Sequence, residues 1–194
     1  MPLFLRLLTL TGLLALAACG GHPGGPPPPS GGQVAQLARE IRALGPDVDP
    51  EEAQRAARIA HDYTHQLAQE YQITDGPILH NTKVNMGIKP RGLCWHWAKD
   101  IEERLKAERF DTLELHRAIA NADSIRLEHS TAIISRRGDS MYDGIVLDGW
   151  RDGGVLFFAR VEDDTRYDWF PRAEVMAAKL GRDRAQALLT TSND

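Results

Sequence analysis

GLCWHWAKDIEERL, residues 92–105, opens a helical pattern on a cysteine and then keeps one face apolar. Cys94, Trp97, Ala98, Ile101 and Leu105 share that face, while Lys99, Asp100, Glu102, Glu103 and Lys106 lie elsewhere. With Pro90 just ahead, the pattern predicts a helix over 90–108 with Cys94 in its first turn or so. Free amide groups and the helix dipole at that end favour an anionic sulfur. Beyond residue 108 the apolar period falls to two. Segments 112–120, 125–135, 142–148 and 155–162 read as strands, and the stretches 121–124, 137–139 and 151–154 between them are turn-forming.

Working back from the quoted stretch, 33–44 and 50–71 also read as helices. Asp49 is placed to cap the second, with Pro50 at its first position and Glu51 and Glu52 in its first turn. Asp75-Gly76-Pro77 breaks the chain, and 78–89 has no clear period and reads as an ordered loop over the site. Residues 171–189 look like one or two closing helices. Helices first and consecutive strands after them give an α+β fold, with N-terminal helices packed on an antiparallel sheet.

The first 18 residues stand apart from this body. MPLFLRLLTLTGLLALAA carries one charge, Arg6, ahead of an apolar run too short to span a membrane comfortably, and reads as an export signal. Leu16-Ala17-Ala18-Cys19-Gly20 resembles a bacterial lipobox, in which the leader is cut before the cysteine and that residue receives lipid. The implied site of lipidation is Cys19, and more than one acyl chain there would anchor the protein stably. The expected location is the cell envelope outside the cytoplasm, periplasmic in a Gram-negative organism. Residues 19–32, dense in glycine and proline, read as the lipidated cysteine and a spacer, leaving 33–194 as one domain. A formal charge of −4 without a basic block gives no reason to expect nucleic acid as a partner.

The sequence contains two cysteines, so lipidation of Cys19 leaves Cys94 as the lone thiol of an exported chain. Exported proteins normally use cysteines in pairs. Cys94 is then either a nucleophile or a small core residue. A nucleophilic thiol needs a base, and the base needs an orienting group. His129 shares a strand face with Ile125, Leu127, Thr131 and Ile133, the side expected to pack on the helices. Asp148 ends the apolar run 144–147 and is placed to hold one imidazole nitrogen. His116 lies on the strand before, with Glu114, Ala118 and Ala120. Two other histidine arrangements carry less. His61 and His65 stand one helical turn apart, but the glutamate and third ligand of a zinc protease are missing, so they read as a solvated helix face. His96, two positions from Cys94, points away from it. No metal or other cofactor is expected.

GLCWHWAKDIEERL, LEHSTAIIS (127–135) and GIVLDGW (144–150) together resemble the transglutaminase-like core of the papain-like thiol enzymes, over roughly 71–161. The whole chain looks like bacterial lipoproteins that carry such domains. The resemblance implies Cys94 as nucleophile, His129 as base and Asp148 as orienting group. It also implies acyl transfer or amide hydrolysis through a thioester, on an envelope protein or peptide. Trp95, Trp97 and Trp150 are candidates to wall the cleft or donate an indole N–H to an oxyanion, although large aromatics are more often simply core. Some relatives of this fold are inactive binding modules, which keeps open a domain that recognises an envelope partner without chemistry.

Overall fold

The computed structural model describes residues 24–123 and 128–191. Four helices come first: α1 (Gly31–Arg42), α2 (Pro50–Glu70), α3 (Pro77–Asn85) and α4 (Cys94–Lys106). Strands β1 (Leu113–Ala120), β2 (His129–Arg136), β3 (Ile145–Asp152), β4 (Val155–Arg160) and β5 (Phe170–Pro171) follow, with 3-10 turns at Met141–Asp143 and Val161–Asp163, and α5 (Arg172–Thr191) closes the chain. The sheet order is β4-β3-β2-β1-β5 and every neighbouring pair is antiparallel. The fold is α+β, as the change of period from helical to two predicts. No helix among the described residues is long and apolar enough to cross a membrane.

One apolar cluster joins Leu37 and Ile41 of α1, the alanines and Leu67 of α2, and Trp97, Ile101 and Leu105 of α4 to Leu113, Leu115, Ala132, Ile134, Ile145 and Leu147 of the sheet. Burial at this scale is the main stabilising term of the fold. The opposite face is covered too, by a smaller cluster of Ala118, Ala120, Ile133, Met141, Val146 and Trp169. Strand β2 is therefore buried on both sides. His129 and Thr131 share the parity of Ile133 and so lie on this second face, which corrects the expectation that they face the helices. Ile125 and Leu127, expected beside them, fall outside the described residues.

Asp49 caps α2 by accepting from the amides of Glu51 and Glu52 at 2.8 and 2.9 Å, as the sequence suggests. Segment 78–89 departs from its expected loop, since Pro77–Asn85 is the helix α3. Helix α4 starts four residues later than expected, which makes Cys94 its first residue. The glycine- and proline-rich stretch also begins the folded body earlier than residue 33. Ser30 caps α1 in a capping box with Gln33. Pro26 is buried, seated beside Gly154, whose hypothetical Cβ would stand 2.9 Å from the Pro26 ring. Residues 1–18 and Cys19 lie outside the described residues.

Candidate active site

Cys94 takes its place from the backbone that precedes it. Leu93 is extended (φ −64°, ψ 153°) and His96 reaches back, its Nδ1 accepting from the amides of Gly92 at 3.1 Å and Leu93 at 3.2 Å. Burial, with the charge of Arg91, pulls the His96 pKa down to about 4, so the ring is neutral and serves as an acceptor. It is a cap rather than a base. The amides of His96 and Trp97 bond back to the Leu93 carbonyl at 2.9 and 3.3 Å. The Cys94 and Trp95 amides carry no backbone partner among the described residues, as the first turn of a helix dictates. They are the donors available to an oxyanion beside the sulfur.

Cys94 is partly exposed, and its sulfur lies 3.7 Å from the carbonyl of Glu128, the residue that leads into β2. His129 follows. Its Nε2–H donates to Asp148 Oδ2 at 2.6 Å, and its Nδ1 is buried without a hydrogen-bond partner. Burial alone would lower the His129 pKa. The hydrogen bond with Asp148, then hydrogen bonding to Cys94 and the charges of both, outweigh it and raise the pKa to about 9. These interactions favour the protonated ring, whose Nε2 side is held by the Asp148 carboxylate.

Asp148 is buried and fully engaged. Its Oδ1 accepts from the amides of Trp150 and Arg151, both at 3.0 Å, and its Oδ2 also accepts from Arg151 Nε at 3.1 Å. Burial pushes the carboxyl pKa up, but the His129 and Arg151 contacts prevail and hold it below the ordinary value. Pairing between β3 and β4 shifts register between Asp148 and Asp152. This irregularity turns the Trp150 and Arg151 amides back onto the carboxylate. Arg151 then forks onto Asp164 at 3.0 and 2.6 Å, and Trp169 Nε1 donates to the same carboxylate at 2.9 Å. Trp150, Tyr167 and Trp169 surround the His129 ring, with centroids 4.8, 4.6 and 5.4 Å away. Nothing in the sequence singles out Arg151 or Asp164. The aromatic spacing of Tyr167 and Trp169 is the one signal that could have marked this wall.

The three tryptophans have different fates. Trp97 does not wall a cleft: it is 2% exposed, and its indole donates to the Gly92 carbonyl at 3.0 Å. Trp150 flanks His129, but its indole N–H is committed to Asn81 Oδ1 at 2.9 Å and is not free for an oxyanion. Trp95 is 46% exposed and lies tilted against the neighbouring His96 ring, with centroids 3.8 Å apart. His116 sits beside Ser135, with Nε2 and Oγ 2.8 Å apart, and pairs with Ile133 four residues along β2 from His129. That is about 13 Å away and out of reach. His61 is buried rather than solvated, and its burial pulls its pKa down. No group of three or more metal-binding side chains occurs among the described residues.

Helix α3 roofs this arrangement and ties its halves together. His80 Nε2 bonds to the Arg91 carbonyl at 2.8 Å, on the loop that leads to Cys94, while Asn81 holds Trp150 on the acid side. Gly92 makes the first tie possible. Its φ is +123°, and a Cβ there would stand 2.4 Å from His80 Nε2. A hollow of about 480 Å³, lined by Tyr142, Val161, Tyr167 and Trp169 among others, lies along the aromatic wall, and Cys94 does not line it. No protein-family model, curated protein or solved structure matches the chain.

Proposed function

We propose that the protein is an exported lipoprotein, anchored through Cys19, whose transglutaminase-like domain performs thiol-dependent acyl transfer or amide hydrolysis on an envelope protein or peptide. The observation that carries the chemistry is the buried His129–Asp148 hydrogen bond next to Cys94, with the other imidazole nitrogen, Nδ1, left without a hydrogen-bond partner. A partly exposed cysteine that does not line the hollow along the aromatic wall suits an extended peptide or protein surface better than an engulfed small molecule.

In this mechanism the proton shared by sulfur and imidazole rests on His129. The sulfur attacks the amide carbon, and the carbonyl electrons move to an oxygen received by the Cys94 and Trp95 amides. His129 then gives its proton to the leaving nitrogen as the C–N bond breaks, leaving a thioester and a free amine. Water or an acceptor amine attacks the thioester and passes a proton to His129. This restores the Cys94–His129 pair and releases an acid or a new amide. Asp148 keeps the ring turned throughout, and the apolar wall shields the ring from water.

The rival is a binding module that keeps the fold without chemistry, a reading favoured by the absence of Cys94 from the hollow along the aromatic wall. Alkylation separates the two. Cys94 should react with iodoacetamide at neutral pH well above the rate of an ordinary free cysteine, and His129→Ala should slow it about tenfold or more. A wild-type rate matching free cysteine would reject the enzymatic reading.

A further inference from the structure

A helix resting on a domain normally turns its apolar side inward, and α3 does the reverse. His80 and Asn81 point into the body, where each is hydrogen-bonded. Ile78, Leu79 and Met86 fall within an arc of about 100° on the outer side. Their exposures are 66%, 53% and 67%, and Ile88, just past the helix, is 59% exposed. Isolated exposed apolar residues are ordinary, but four within one short segment mark a contact surface. Lys83 and Lys89 edge the patch, Lys83 paired with Asp75 at 2.7 Å and Lys89 with the Gln72 amide at 3.5 Å.

The course of the chain says what meets this surface. Gly25 passes the Ile73 carbonyl, with 3.5 Å from its hypothetical Cβ, and Pro26 is seated beside Gly154. Ile73 precedes Ile78 by five residues. Cys19 precedes Gly24 by five residues, a span of about 18 Å at full extension. Acyl chains on Cys19 therefore bring the bilayer surface to the side of the domain that carries α3.

We propose that the outer face of α3, with Ile88, rests in the boundary between lipid headgroups and acyl chains of the membrane that holds the anchor. Ile78, Leu79, Met86 and Ile88 enter the apolar edge, and Lys83 and Lys89 lie at headgroup level, as in helices that lie in an interface. The proposal builds on the reading of Cys19 as lipidated.

The test uses the full chain, made with its leader in a lipoprotein-processing bacterium, in the Cys94→Ala background. Met86→Cys, and separately Ile88→Cys, carries an environment-sensitive nitrobenzoxadiazole dye. Lys106→Cys, at the far end of α4, is the control. On phosphatidylethanolamine/phosphatidylglycerol vesicles the dyes at 86 and 88 should shift to the blue, brighten severalfold and be quenched by doxyl-labelled lipid, while that at 106 should not. Dyes at 86 and 88 as aqueous as the one at 106 would overturn the proposal. So would a blue shift that needs no vesicles and grows with protein concentration, because a second copy would then cover the face. Mass spectrometry of the Cys19 peptide tests the anchor separately. Acylated Cys19 with aqueous dyes removes the surface alone, whereas unmodified Cys19 with vesicle-dependent shifts removes the anchor and keeps the surface.

Discussion

At the scale of single residues, the pKa of His129 sets the pH behaviour. Its folded value of about 9 lies above the ordinary 6.5, so its stabilising contribution is fully present below pH 6.5 and is lost as pH rises through about 9. By linkage this amounts to at most about 3 kcal/mol. A urea midpoint that falls between pH 6.5 and 9.5 in the wild type, and falls less in Asp148→Asn, is the expected result. Turnover should decline through the same window, because the leaving nitrogen loses its proton donor, while alkylation of the sulfur should not. Asp148→Asn should reduce turnover about 100-fold or more by leaving the imidazole without its orienting acceptor. Arg151 is a separate case, since it stands between two buried carboxylates. Arg151→Met leaves buried Asp164 without its cation and Asp148 with His129 alone as charged partner, and should cost about 3–5 kcal/mol in denaturant unfolding.

Among elements, legibility followed the periodicity and failed where periodicity carries no direction. Helix α4 and the alternation at the start of β1 were readable because each has one distinctly apolar side. Strand β2 was readable as a strand, but with both faces buried its alternation could not say which side the helices occupy. The partners of Asp148 were hidden for a related reason, because the irregularity before Asp152 breaks the parity that would have placed Arg151. Helix α3 escaped because its apolar residues look outward and its inner side is polar. Its two inner ties give a prediction of their own. Asn81→Ala frees the Trp150 indole and loosens the roof, so amide exchange in α3 should speed up while the global unfolding midpoint moves by no more than about 1 kcal/mol. A midpoint shift that matches the local change would show that α3 and the core unfold together.

Seen as one molecule, the protein brings together a helix start, a strand start and a bulged strand that are remote in the chain, and the order Cys94, His129, Asp148 was visible before the fold was. The extent of the body was not, because glycine and proline composition reads as spacer even where the chain is packed. Gly154 makes that packing possible: its φ is +92°, and a Cβ would lie 2.7 Å from Ala68 and 2.9 Å from Pro26. Gly154→Ala should unseat the segment and cost about 1–3 kcal/mol, with new protease cleavage ahead of α1 as its signature. The seating of Pro26 also sets how far the domain can roam. Were Cys19 to bear lipid, only the six residues 20–25 would separate the anchor from Pro26. Such a domain would patrol a thin layer next to its own bilayer, and any target must come within that layer to be met.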